Sequence, residues 1–202
     1  EQKHLVLTYL ISAMAFADTE KMGFRPLALA AIVGLLMQVD GAQNTAAQLE
    51  SSAGYHTCVV LQDSSLKCWG RNEAGQLGLG DDTHRGADST QMGDFLPTVD
   101  VGTGRTVQQV SVGRYMTCAL LDDNTVKCWG IGLYAAAEHS SYVGDHAGEM
   151  GDNLPVVNFG SSVSRTPTQI TSGWGSTCVL FDDGAVKCFG EGAWEKLGYG
   201  DF

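Results

Sequence analysis

The chain has 202 residues, a hydrophobic content of 44% and a formal net charge of −11, with 12 Lys and Arg against 23 Asp and Glu. A protein that binds nucleic acid or anionic membranes needs a basic surface, so this balance argues against both as partners. Glycine is abundant at 26 residues while proline is scarce at 4, which favours an all-β protein with many short strands and tight turns.

The N-terminal region contains two apolar runs of 13 residues each, Leu5–Ala17 and Leu27–Val39. This length is short for a transmembrane helix and typical of the apolar core of a secretory signal. We therefore expect residues 1–45 to form a helical or signal-like segment, and the protein to be secreted or to enter an endomembrane lumen. The alternative is a pair of buried core helices.

The second apolar run fits a signal peptide better than the first. Met22 and Arg25 precede it, and the small residues Gly41 and Ala42 follow it as a candidate cleavage site. We predict that the signal occupies residues 22–42. Residues 1–21 are then upstream sequence attached to the true start.

A repeat begins downstream, because three segments align without gaps: 57–70, 117–130 and 177–190. In each segment two β-rich runs flank a turn, which predicts a β-hairpin. In the third segment, Asp182–Gly184 suits a three-residue loop with Gly184 in the left-handed conformation. Asn124 can take that conformation in the second copy, whereas Ser64 fits less well and predicts the weakest turn.

The same register brings the cysteines of each segment together. A three-residue loop pairs Phe181 with Ala185, and counting outward pairs Cys178 with Cys188 at a narrow, non-hydrogen-bonded site. The separation at such a site can be spanned by a disulfide. We predict one local disulfide in each hairpin, which joins Cys58 to Cys68, Cys118 to Cys128, and Cys178 to Cys188.

Two other roles for the cysteines stay open. They could remain reduced as small core residues, or they could bind a metal. Zinc ligands usually come in close pairs two to four residues apart, and no such cysteine pair occurs in the sequence. We therefore expect no metal and no cofactor.

The repeat extends beyond the hairpins. Residues 92–97 (MGDFLP) recur as 150–155 (MGDNLP), and the Leu-Gly-x-Gly-Asp pattern of 77–81 recurs at 197–201. The middle copy departs from this pattern at 132–138. We expect the outer edge of that unit to be remodelled.

These motifs resemble the repeats of the regulator of chromosome condensation family. The resemblance covers about residues 50–202 and rests on the Thr-Cys, Asp-Asp-Gly, Val-Lys-Cys-Trp-Gly and Gly-Gln-Leu-Gly-x-Gly-Asp pieces. It implies a β-propeller with four-stranded antiparallel blades, usually seven in a closed ring. About three copies cannot close that ring, so we expect a partial propeller that is part of a longer chain or assembles with other copies.

The founding member of that family is a nuclear, chromatin-bound exchange factor for a small GTPase. None of the residues of its exchange surface can be placed on this acidic chain, so the resemblance implies no residue for that activity here. A guanine-nucleotide exchange activity, or an enzyme completed by further blades, is the function that we expect least.

No motif for hydrolytic, phosphate-binding or metal-dependent catalysis is recognisable, and we predict a binding or scaffold module rather than an enzyme. Gly75–Gly80 resembles a phosphate loop, but it lacks a following helical pattern and reads as a structural turn. His139 and His146 stand near acidic residues that could bind a cation weakly, but a solvated acidic loop explains them better, and this is what we expect.

Function should then depend on residues that differ between the repeats. The long connections, about 80–106 and 131–166, suit contact with a protein or a carbohydrate, and self-assembly is the alternative. The candidate binding anchors are Trp174, Trp194, Tyr134 and Tyr142. Trp69 and Trp129 belong to the repeat framework, where packing is the ordinary explanation.

Overall fold

The computed structural model describes residues 45–51, 55–131, 142–160, 165–190 and 197–198. They form three antiparallel sheets of three strands, each ordered along the chain. The first blade contains β1 (Ala46–Ser51), β2 (His56–Leu61) and β3 (Leu66–Gly70). The second contains β4 (Val107–Val112), β5 (Met116–Leu121) and β6 (Val126–Gly130), and the third β7 (Pro167–Ser172), β8 (Ser176–Phe181) and β9 (Val186–Gly190).

The three predicted hairpin segments fall on the second and third strands of each blade. Helical structure among the described residues is confined to 3-10 turns at Ser89–Gln91, Gly93–Phe95 and Gly151–Asn153, two of which occupy the recurring Met-Gly-Asp motif. The predicted all-β class is therefore confirmed, and the blades form a partial β-propeller.

The core lies between neighbouring blades. Side chains of β2 and β3, such as Val60 and Leu66, share one buried cluster with Val110, Ala119 and Leu121 of the second blade. A second cluster joins the far side of that blade to the third blade. All six residues of β5 are buried, because a strand between two packed sheets has no solvent-facing side. In β8 buried and half-buried residues alternate, as expected for a strand covered on one face.

The hairpin turns have the predicted geometry. The Phe181 N–H donates to the Ala185 carbonyl at 2.9 Å and closes the three-residue loop. Gly184 has φ of 83°, and its counterparts Asn124 and Ser64 have φ of 61° and 63°. All three copies therefore place a left-handed residue at the same position.

The expectation of four-stranded blades is wrong for the described residues. In the first two blades the position of a fourth strand is reduced to one antiparallel bridge, Gly70 to Arg85 and Gly130 to Val143. Gly86 and Gly144 follow these bridges with φ of 105° and 93°. An extended strand needs negative φ, so the chain leaves the sheet there.

The long connections are fastened to the blades by recurring lysines. Lys127 is buried, and its Nζ donates to the carbonyls of Val101 and Gly151 at 3.0 and 2.8 Å. In the first blade, Lys67 Nζ donates to the Gly93 carbonyl at 2.7 Å. A buried ammonium needs such acceptors, so each lysine fixes the path of a connection.

The two N-terminal apolar runs fall in residues 1–44, outside the described residues, so the signal-peptide prediction stays a prediction. Among the residues that are described, none belongs to a helix long and apolar enough to cross a bilayer.

Candidate functional site

Each predicted cysteine pair is cross-strand within one hairpin. Cys58 lies opposite Cys68, with Cα atoms 4.1 Å apart, and the structure joins the two sulfur atoms. The second and third pairs have the same register, with Cα separations of 4.1 and 4.0 Å. The predicted facing of the cysteines is therefore confirmed.

Within a blade, the end of the third strand comes close to the turn that precedes the second strand of the same blade. At Gly130 an added Cβ would lie 2.2 Å from the Tyr115 carbonyl oxygen, and at Gly70 it would lie 2.4 Å from that of Tyr55. Only glycine permits this approach, and both glycines also have positive φ. The residues of these turns and those just after the third strands therefore come together at one end of the blades.

At that end aromatic rings and guanidinium groups alternate. The Arg71 Cζ atom lies 5.7 Å from the ring centroid of Tyr55 and 5.1 Å from that of Tyr115. The Arg114 Cζ atom lies 4.8 Å from the Tyr115 centroid and 3.9 Å from that of Trp174. We call Tyr55, Arg71, Tyr115, Arg114 and Trp174 the aromatic–arginine row; it crosses all three blades.

The two ends of the row are open to solvent, with Tyr55 45% and Trp174 62% exposed. The carboxylate of Glu73 contacts Arg71 and raises the pKa of its guanidinium. Cation–π contacts of this kind hold a flexible arginine side chain in place. The row is therefore an ordered surface rich in aromatic and arginine side chains.

Of the four predicted binding anchors, Trp174 lies in the row. Tyr142 is 42% exposed beside the Gly130–Val143 bridge and is not a member of the row. Tyr134 and Trp194 fall outside the described residues. Trp69 and Trp129 are 4% and 0% exposed, as their packing role requires.

Sequence reasoning missed Tyr55, Arg71, Arg114 and Tyr115. The signal was present, because the turn before each second strand carries large side chains just ahead of the first cysteine. Alignment within the repeat shows that Trp174 corresponds to Arg114 and not to another aromatic residue. The sequence did not reveal that these side chains stack across repeats.

The acidic loop near His146 forms a cluster of Asp145, His146 and Glu149, whose candidate ligand atoms lie within 4.8 Å of one another. Asp145 accepts a hydrogen bond from the His146 ring and raises its pKa. Glu149 Oε2 accepts the backbone N–H groups of Gly144 and His146 at 2.8 and 3.1 Å. These contacts close the loop. His139 lies outside the described residues.

The Gly75–Gly80 segment packs against the second blade. Gln76 and Leu77 are fully buried, and the Gln76 carbonyl accepts hydrogen bonds from Thr117 Oγ1 and Trp129 Nε1 at 2.8 and 3.1 Å. Thr117 also contacts His56 Nε2 at 2.8 Å. The segment is thus a structural turn that joins two blades, in agreement with its interpretation from sequence.

Comparison with known proteins shows which family shares this architecture. One sequence profile, the regulator of chromosome condensation (RCC1) repeat, matches residues 66–120, and a second profile of the same repeat matches 51–76 and 107–134. The chain is 27% identical over 146 residues to the ultraviolet-B receptor UVR8 of Arabidopsis thaliana. This match covers 72% of this chain and 30% of the receptor.

Another relative and one solved structure show similar coverage. Identity is 29% over 150 residues to the mitochondrial RCC1 domain-containing protein RUG3 of Arabidopsis thaliana, covering 73% of this chain and 31% of RUG3. The chain therefore spans less than a third of the length of these two relatives. The crystal structure of human WBSCR16 matches with a TM-score of 0.58 at 18% identity, covering 80% of this chain and 38% of that chain, which supports the fold.

Proposed function

This chain carries repeats of the regulator of chromosome condensation family, and on that premise we propose that it is a non-enzymatic scaffold that binds another protein in an extracellular or luminal compartment. The observation that carries the proposal is the aromatic–arginine row. Trp, Tyr and Arg are the residue types most enriched at the energetic centres of protein interfaces.

The repeat architecture explains how such a surface arises. Framework positions such as Cys118 and Trp129 are buried and serve packing. The turn before each second strand is free to vary, and side-by-side blades place these variable turns next to one another. The surface is thus built from residues that the framework does not constrain.

The recurring carboxylates support a non-enzymatic role. Asp63 Oδ1 accepts the side-chain hydroxyl and the backbone N–H of Ser65, and Asp123 makes the same two contacts with Thr125. The Ser65 contacts lower the pKa of Asp63. Hydrogen bonding within a turn therefore accounts for this perturbed titration, and the same arrangement recurs in the next repeat.

A display experiment tests protein binding. The purified full chain and its Trp174→Ala variant are each used to select from a library of displayed peptides, and both are applied to a glycan array. We expect peptides that bind the wild type and lose binding to the variant. Equal peptide binding by both chains, or ligands found only on the glycan array, would overturn the proposal.

The cysteine pairs support the proposed compartment, because disulfides persist in oxidising surroundings. An antibody to the hairpin region would locate the protein in fractionated source cells and in their medium. We expect it in the medium or in a lumen where protease reaches it only after membrane lysis. Recovery in the cytosol with reduced thiols would contradict the proposed location.

A further inference from the structure

Arg114 differs from the other arginines of the described ranges. Four of the five have a carboxylate oxygen within 4.0 Å, in the pairs Arg71–Glu73, Arg85–Asp81, Arg105–Asp123 and Arg165–Asp183. Within those ranges Arg114 has no such partner. The chain has a net charge of −11, yet none of its described carboxylates neutralises Arg114 by direct contact.

The surroundings of Arg114 fix its orientation. Its guanidinium lies over the ring of Tyr115 and over the ring of Trp174, and its backbone N–H donates to the Gly173 carbonyl at 3.3 Å. Stacking occupies the faces of a planar guanidinium and leaves its N–H groups available at the edge. A side chain that is already ordered loses less entropy when it binds a ligand.

We propose that the aromatic–arginine row recognises an acidic segment of a partner protein, an inference that rests on the protein-binding function proposed above. A carboxylate of that segment accepts hydrogen bonds from the edge of the Arg114 guanidinium. An apolar side chain beside the carboxylate packs on the exposed ring of Trp174. Charged hydrogen bonds of this kind are short and directional, so they select a carboxylate over an amide.

Two synthetic peptides and two variants test the proposal. The first peptide consists of glutamate and leucine. The second is the uncharged control, in which glutamine replaces every glutamate. Affinity for immobilised full chain is measured with the wild type, with Arg114→Gln and with Arg105→Gln. The last is a matched control because it removes the same charge from an arginine that contacts Asp122 and Asp123.

We expect the glutamate peptide to bind the wild type at least tenfold more tightly than the glutamine peptide, an order of magnitude typical of an interfacial charge pair. Arg114→Gln should remove most of this preference, and Arg105→Gln should keep it. Equal losses in both variants would show a response to net charge and overturn the proposal, as would equal binding of the two peptides.

A further variant keeps the result interpretable if Arg114→Gln folds poorly. Trp174→Phe retains a ring above the guanidinium and should keep the preference for glutamate, whereas Trp174→Ala should weaken it. If displayed peptides bind the row without any acidic preference, the acidic partner is wrong and the protein-binding function stands. If no peptide depends on the row, both fail.

Discussion

Single side chains with two hydrogen-bonding ends join neighbouring blades. The Gln48 amide donates to the Val110 carbonyl and accepts the Val110 N–H, both at 3.0 Å. Gln109 makes the same pair of bonds with Ile170, at 3.1 and 2.9 Å. Each glutamine thereby satisfies backbone groups of the first strand of the next blade, which would otherwise lie unpaired in a packed interface.

Also at the residue scale, the Ser65 hydroxyl controls the titration of Asp63. Its hydrogen bond lowers the pKa of the carboxyl, so the ionised form stabilises the fold above about pH 4 and that contribution is lost as pH falls through the folded-state pKa. In Ser65→Ala we expect NMR titration to show a higher pKa for Asp63. Ser65→Thr keeps the hydroxyl and should keep the low value; an unchanged midpoint in Ser65→Ala would contradict the account.

The hairpin is the element whose details are fixed most locally. Its loop, its strand pairing and its cysteine pair lie within 14 residues, and the register is the same in all three blades. The length of the loop determines which residues face each other across the two strands. Because side chains on one face of a strand recur every two residues, that register also determines which pairs share a face. Turn chemistry and disulfide access are therefore properties of the single hairpin.

At the element scale, the left-handed position of the loop predicts opposite effects in two hairpins. Ser64 has φ of 63°, and Ser64→Gly should stabilise the protein by up to about 1 kcal/mol. Gly184→Ser should destabilise it by about the same amount, because a left-handed non-glycine residue is strained. An added Cβ at Gly184 meets nothing within 4 Å, so no clash complicates the result. Urea denaturation measures both, and shifts of the same sign would contradict the prediction.

The three disulfides should differ in their reaction with reductants. Cys58 and Cys68 are fully buried, whereas Cys178 and Cys188 are half-buried. Thiol attack requires access to a sulfur atom, so the third hairpin should be reduced first. Mild reduction followed by alkylation and mass spectrometry measures the order. Cysteines joined between repeats in a non-reducing digest, or equal labelling rates, would contradict it.

At the scale of the whole molecule, stability is shared between blades through their packed faces and the glutamine bonds. Contacts of this kind reach only the nearest neighbour, as in other repeat proteins. Val126 in the second blade is fully buried, whereas its counterpart Val186 in the third is 59% exposed. The third blade therefore depends on its contacts with the second.

Gln109→Met tests this dependence. The methionine keeps the length of the side chain but removes both hydrogen bonds to Ile170, and we expect a loss of about 1–3 kcal/mol because the backbone groups lose their partners. Hydrogen exchange should rise across 167–190. The neighbouring Gln108 is exposed and makes a 3.4 Å contact with the Asp122 carbonyl, so Gln108→Met is the control; equal effects of the two variants would contradict the prediction.

Sequence reasoning reached the fold class, the cysteine facing and the left-handed turn positions. Through the family resemblance it predicted a fourth strand that the described residues of the first two blades do not form, because Gly86 and Gly144 turn the chain out of the sheet there. It also placed the binding surface in the long connections and found only Trp174 of the row. Arg114 and Tyr115 escaped notice because their partners lie in other turns, and stacking depends on how blades are spaced.

The sequence alone determined the hairpin and its thrice-repeated register, because contacts across a three-residue loop follow from the loop length and the two-residue period of a strand. The tertiary structure decided which side chains meet across blades. Trp174 contacts Arg114 and Gln109 contacts Ile170 over about 60 residues of sequence. Such contacts depend on the separation and tilt of packed sheets, which no local pattern specifies.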